Sequence, residues 1–287
     1  MASTHLPFAS IENNFLRLDY LTTTGPRIVG LYAHGVDGNL LAETPDAHWP
    51  TPHGEFYLRG GHRLWIAPEN LFYVCPEDNL SVIEEKDKVV LRSPIDITGL
   101  EKEISIRLDE NCVHLTHRIT WHGDQPIEFA AWGITQLRLN GMAVLPLSDT
   151  SDGLTPNRNL VFWPYSQMHD KRFELHDDMI LLHGEAAKQA FKIGNFNKHG
   201  WVACASGGVL FVKRFSVDES QSYADMGCNV EAYVKDECLE LETLGPLTKL
   251  NSGESVTHEE TWEVFTDTEY ATTIESARAI HARLSSK

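Results

Sequence analysis

Cys112-Val113-His114-Leu115-Thr116-His117-Arg118-Ile119-Thr120-Trp121 changes character at every second residue. In an extended chain successive side chains point to opposite faces, so Val113, Leu115, His117, Ile119 and Trp121 fall on one side of a pleat. Asp109-Glu110-Asn111 supplies a turn before the run, and His122-Gly123-Asp124-Gln125-Pro126 closes it. The stretch is a strand with one buried face, and the same alternation recurs through most of the chain.

Upstream, Phe15-Leu16-Arg17-Leu18-Asp19-Tyr20 and Arg27-Ile28-Val29-Gly30-Leu31-Tyr32 read as a strand pair joined across Thr24-Gly25-Pro26. Further strands are expected over 80–86, 88–93, 102–108, 127–139, 159–163, 178–183, 201–205, 208–215, 228–234, 237–244 and 255–265. Thr44-Pro45-Asp46-Ala47-His48-Trp49-Pro50-Thr51-Pro52-His53 is the longest segment expected to be irregular, and as such a flank for a site. Helical spacing emerges only near the end. There Ile274, Ala277, Ile280 and Leu284 define the apolar side of a short surface helix over about 272–285, with Arg278, His281 and Arg283 toward solvent. With no internal repeat or linker tract, one antiparallel β domain over residues 1–287 is the simplest organisation, a sandwich or a barrel.

The 287 residues are 42% hydrophobic, with seven Trp, twelve Phe and eight Tyr, enough for a large core. A formal charge of −17 argues against nucleic acid, anionic lipid and multiply phosphorylated partners, and favours neutral or cationic ligands. Five cysteines at 75, 112, 204, 228 and 238 lack metal-ligand spacing, and their odd number cannot close a full disulfide set. Residues 1–7 lack a basic start and an apolar run, and no apolar stretch approaches the roughly 18 residues of a membrane helix. A reducing cytoplasm is the expected compartment.

Chemistry concentrates in two segments. In Cys238-Leu239-Glu240-Leu241-Glu242-Thr243-Leu244-Gly245-Pro246, Glu240 and Glu242 share one pleat face and Leu239 and Leu241 the other. A carboxylate on a strand is either solvated at an edge or placed for use, because burying it unpaired is costly. In Arg59-Gly60-Gly61-His62-Arg63-Leu64-Trp65-Ile66-Ala67-Pro68-Glu69, two glycines permit close backbone approach or positive φ. Arg63 and Trp65 share a face there, a guanidinium fork beside a flat indole, suited to a sugar ring. The plainer alternative is an Arg63–Glu69 ion pair beside a core Trp. Segments 157–165 and 223–229 mix aromatic and polar residues near turns and are either pocket walls or buried corners.

Other chemistries lack their residues. There is no phosphate-cradling glycine loop and no nucleophile elbow. His258-Glu259-Glu260-Thr261-Trp262 has Trp where a zinc-protease helix needs its second His. His48, His53, Glu55 and His62 resemble a metal cluster only loosely, without His-x-His, so neither metal nor cofactor is expected.

Gly60 to Glu69, Gly-Gly-His-Arg-Leu-Trp-Ile-Ala-Pro-Glu, and Leu241 to Pro246, Leu-Glu-Thr-Leu-Gly-Pro, together resemble an uncharacterised branch of the galactose-mutarotase-like superfamily, which includes the aldose 1-epimerases. The resemblance covers about Phe15 to Phe265 and implies an all-β fold, a large antiparallel supersandwich closed by the short C-terminal helix. By the same resemblance, Leu241-Glu242-Thr243 matches the segment bearing the family's general base, which makes Glu242 the base at an anomeric hydroxyl. The family's His-Pro-Tyr-Phe-like segment corresponds to Phe129–Leu137, which has no His, leaving Thr135 and Gln136 as hydrogen-bonding groups. His62 is then the candidate acid, Arg63 and Trp65 hold the ring, and Asp225 resembles a sugar-binding Asp.

Three functions compete on this reading. The first is an aldose 1-epimerase-like isomerase acting on a neutral small-molecule sugar by acid and base. The second is a carbohydrate-binding protein using the same residues without turnover. The third is a lyase or hydrolase on a uronate or glycoside. Carboxylates two apart on a strand lie roughly 6.5–7 Å apart at Cα, and pointing the same way they do not flank a bond as a glycosidase pair must.

Overall fold

The computed structural model describes residues 6–285, so the leader-free reading of residues 1–5 lies outside them. Two large antiparallel sheets face each other. The first runs, in spatial order, Phe8–Glu12, Leu16–Leu21, Arg27–Ala33, His62–Ala67, Ile127–Leu137, Cys238–Leu244, Val230–Lys235, Phe191–Asn195 and Val161–Phe162, with Thr248–Leu250 pairing onto the start of Ile127–Leu137. The second runs Phe173–Leu175, Met179–His183, Met142–Pro146, Trp201–Ser206, Val209–Phe215, Ser255–Phe265, Cys112–Trp121, Leu100–Asp109, Val89–Arg92 and Ser81–Glu84.

The alternation read in 112–121 is realised. Val113, Leu115, Ile119 and Trp121 join Ile104, Ile106, Phe211 and Trp262 from the second sheet and Leu18, Ile28, Leu64, Leu239 and Leu241 from the first in one buried core. Aligned sheets pack by interdigitating their inner faces, which is why each strand's inward set is apolar. The helix Ile274–Ser285 covers the other face of the second sheet, burying Ala277, Ile280 and Leu284 on Met142, Leu181, Trp201 and Val212. Thr273 starts it, its hydroxyl accepting from Ser276 N at 3.4 Å. Arg278 and Arg283 pair with Asp178 and Asp267, whereas His281 turns onto Trp201 instead of solvent. No helix among the described residues is long and apolar enough to cross a membrane.

The Pro-rich stretch departs from its expected irregularity. It forms a two-stranded ribbon, Glu43–Thr51 with Gly54–Gly60, whose register shifts between Thr44 and His48. Pro45 falls within that shift, where no ladder donor is required of it. Trp49 and Phe56 of the ribbon pack against Trp65, Trp132 and Leu244 on the outer face of the first sheet. Phe8–Glu12, Phe173–Leu175, Phe191–Asn195 and Thr248–Leu250 are strands that the periodicity did not mark.

Candidate functional site

Cross-strand register gathers the site. Arg63 and Glu242 both lie opposite Ile134, Gln136 lies opposite Glu240, and Glu231 lies opposite Glu242. Directly paired residues share a face, so Arg63, Trp65, Trp132, Gln136, Glu231, Glu240 and Glu242 all project from the outer face of the first sheet. Lys192 faces Tyr233, which faces Glu240, and so belongs to the same surface.

Its charges are paired and buried. The Arg63 guanidinium donates to Glu240 at 3.3 Å from two nitrogens and lies 4.5 Å over the Trp65 ring, so the Arg63–Glu69 pair is replaced by Arg63–Glu240. The Lys192 ammonium lies 2.6 Å from Glu231 and 2.8 Å from Glu242, between the rings of Trp132 at 4.6 Å and Trp163 at 4.5 Å. Burial lowers the Lys192 pKa, but Glu231 and Glu242 outweigh it and hold the group well above its ordinary value. Glu231 is pushed well up by burial, with Glu242 and Asp225 adding to the effect against Lys192. Burial raises Glu240 as well, against the pull of Arg63.

Among the described residues, Arg63 Nε, Trp65 Nε1, Trp132 Nε1, Gln136 Oε1, Glu242 Oε1 and both carboxylate oxygens of Glu231 are buried on this face without a hydrogen-bond partner. Each such group costs about 1–3 kcal/mol, and their concentration on one sheet face is what a set of ligand hydroxyls would relieve. Trp163 and the half-exposed Tyr165 cover the floor; Ser166 fixes their turn by bonding both backbone groups of Lys192, at 2.7 and 2.8 Å. Asp225 adjoins Glu231 from Ala224–Gly227, where Asp225 (φ 49°) and Met226 (φ 60°) are both left-handed. Two successive non-glycine residues in that region cost of order 1–3 kcal/mol each, and such strain concentrates at functional sites.

His62 does not meet Glu242. One residue before Arg63, it takes the opposite side of the strand and lies fully buried between the sheets. Thr135, opposite His62, points inward with it, whereas Gln136 keeps to the outer face. The hydrogen bonds fix tautomers. His117 Nδ1 donates to the His258 carbonyl at 2.9 Å, so its Nε2 accepts from His62 Nε2 at 2.7 Å, and His62 Nδ1 accepts from Thr135 at 2.9 Å. Glu260, beside them, accepts from Thr243, from Trp262 at 2.7 Å and from Lys213 at 3.0 Å. Lys213 also donates to the carbonyls of Gly133 and Leu241 at 3.0 and 3.1 Å, pinning from beneath the two strands that carry the site. Burial drives His62 and His117 below their ordinary values and His258 down to about 3, so all three are neutral.

Ligand atoms of His62, His117 and Glu260 lie within 4.8 Å of one another. Their nitrogens are committed to each other and Lys213 already supplies the positive charge, so the arrangement is a neutral relay around one ion pair, not a cation cage. His48 pairs with Glu55 and His53 with the Phe72 carbonyl, both away from His62.

Lys192, Glu231 and Trp132 went unmarked in the sequence. The signal was there in part: Val230-Glu231-Ala232 and Phe191-Lys192-Ile193 place a lone charge between apolar neighbours, as Leu239-Glu240-Leu241 does.

No family model and no curated protein sequence matches the chain. Solved structures do match in fold. Slr1438 from Synechocystis sp. PCC 6803 superposes with TM-score 0.59 at 13% identity, covering 92% of this chain and 97% of that one. A candidate aldose 1-epimerase from Escherichia coli K12 gives 0.57 at 12%, covering 90% and 99%. A galactose mutarotase-like protein from Lactobacillus casei ATCC 334 gives 0.56 at 9%, covering 90% and 100%. The fold is therefore the galactose-mutarotase-like β-supersandwich.

Proposed function

We propose that the outer face of the first sheet binds a neutral sugar and that Glu242 acts there as general base at the anomeric hydroxyl. The observation that carries this is Glu242 itself: a fully buried carboxylate with one unpartnered oxygen, held by Lys192 and sharing its face with the unpartnered donors of Arg63, Trp65 and Trp132. Asp225, Glu231, Glu240 and Glu242 outnumber Arg63 and Lys192, which disfavours phosphorylated or uronate sugars.

In the proposed cycle Glu242 takes the anomeric proton while the ring oxygen receives one. The ring opens to the aldehyde, the C1–C2 bond rotates, and the transfers reverse on closure. His62 is on the wrong side to be the acid. Glu231, opposite Glu242 and disposed by burial to hold a proton, is the carboxyl that replaces it. Tyr165 and Trp163 must move aside for a sugar to reach this floor.

Binding without turnover is the second reading, and the Lys192 ammonium engaging Glu242 Oε2 at 2.8 Å favours it by occupying one oxygen of the base. A glycosidase is disfavoured because Glu231, Glu240 and Glu242 all project from one face and cannot flank a bond. Cys75, Cys204, Cys228 and Cys238 are free thiols, in keeping with the reducing cytoplasm proposed here. Saturation-transfer NMR with neutral aldoses tests the site: signals present for the native chain and lost in Trp132→Ala support it, and signals unaffected by Trp132→Ala refute it.

A further inference from the structure

The opposite side of the molecule carries a separate group of potential ligands. Asp149 follows the strand Met142–Pro146, His199 precedes Trp201–Ser206, and His281 lies on the C-terminal helix. One ligand atom from each lies within 4.8 Å of the other two. His199 Nε2 stands 3.8 Å from Asp149 Oδ1, and the His199 and His281 rings meet edge-on at 85° with centroids 5.0 Å apart. Trp201 backs His281 at 5.8 Å and holds its ring in place. His281 Nδ1 is buried and has no hydrogen-bond partner. Asp149 is exposed and both imidazoles are half-buried, so an ion has access.

We propose that Asp149, His199 and His281 form a site for a divalent transition metal, Zn²⁺ by donor type, that fastens the C-terminal helix to the body. Two imidazoles and one carboxylate suit borderline Zn²⁺, whereas Mg²⁺ and Ca²⁺ demand oxygen ligands. Bonds of about 2.0–2.1 Å in a tetrahedron put donors about 3.3 Å apart, so the group closes by rotation of the exposed Asp149 side chain and a small shift of the rings. His199 Nε2 gives up its 3.0 Å contact with the Leu147 carbonyl in exchange for the metal. Three protein ligands leave a fourth position for water. Asp149 also roots the segment that leads to Trp163 and Tyr165, so the metal would steady the covering of the other face from its base.

Cobalt and zinc titrations of the full chain test the site. One equivalent of Co²⁺ should give visible d–d bands of a tetrahedral ion, displaced by Zn²⁺ and untouched by Mg²⁺. His281→Gln and Asp149→Asn should each weaken Zn²⁺ by at least about tenfold, and His34→Gln, exposed beside Glu12, should not. Should His281→Gln fail to fold by circular dichroism, the exposed Asp149→Asn decides. Absence of binding to the native chain, or affinity unchanged in Asp149→Asn and in folded His281→Gln, overturns the proposal.

Discussion

Glu231 and Glu242 stand directly opposite each other on neighbouring strands, bridged by the single ammonium of Lys192 at 2.6 and 2.8 Å. Burial disposes Glu231 to hold its proton, so the buried charge of Glu242 depends on this one cation, which is a condition of folding as well as a feature of the site. Lys192→Met is therefore expected to destabilise the fold by about 3–5 kcal/mol. Urea denaturation measures it, and Glu242→Gln in the same chain should recover part of the loss. A cost below about 1 kcal/mol, the range of an exposed pair, would show that the ion triad is not a buried unit.

The inner relay has a pH signature. His258 titrates at about 3 when folded, pushed down first by burial, against about 6.5 when unfolded. As pH falls below 6.5 the unfolded chain takes this proton and the folded chain does not, so stability declines until about 3, by up to about 1.4 kcal/mol per pH unit. His258→Gln removes that contribution. Its stability curve over this window should be flatter than that of the native chain whatever its offset, and parallel curves would contradict the assignment.

Position within the fold separates two ion pairs of similar length. Lys213 is fully buried, 3.0 Å from Glu260 and bonded to two strand carbonyls; Arg278 is exposed, 2.8 Å from Asp178. Lys213→Met should cost several kcal/mol, whereas Arg278→Ala, removing a solvent-screened pair, should leave stability almost unchanged. Thermal or chemical denaturation of the two variants side by side provides the comparison.

Gly61 tests the close approach expected of the paired glycines. Its φ is +70°, and a Cβ there would fall 1.9 Å from the Ile28 carbonyl oxygen. Gly35 has φ +85° with nothing within 4 Å. Both Ala substitutions bear the left-handed penalty of about 1–2 kcal/mol, but only Gly61→Ala must also push backbone aside. Equal costs would mean that the approach of strand 62–67 to strand 27–33 is not tight.

Much of this was legible in alternation. The faces of 112–121 and 238–244 follow from period two, as does the sharing of one face by Arg63 and Trp65. That parity also puts His62 on the side away from Arg63, so the His62–Glu242 pairing expected from the family resemblance conflicts with local geometry once Arg63 and Glu242 share a face. Whether they share one depends on the register of Ile134 with both strands, a long-range pairing that no local pattern encodes. Lys192 was hidden for a related reason: Phe191–Asn195 is five residues long and holds a Gly, too short and too weak in β character to stand out. The helix ligand His281 read as solvated because helical spacing marks the apolar stripe and is silent about what the flanking residues meet.

The most direct test of the account is the rate of anomer exchange by NMR for single-anomer neutral sugars, with the native chain, Glu242→Gln and His62→Gln compared at a temperature where all three are folded. The account predicts accelerated exchange with the native chain, its loss in Glu242→Gln and its retention in His62→Gln. Exchange that survives in Glu242→Gln, or that is abolished by His62→Gln alone, would contradict it.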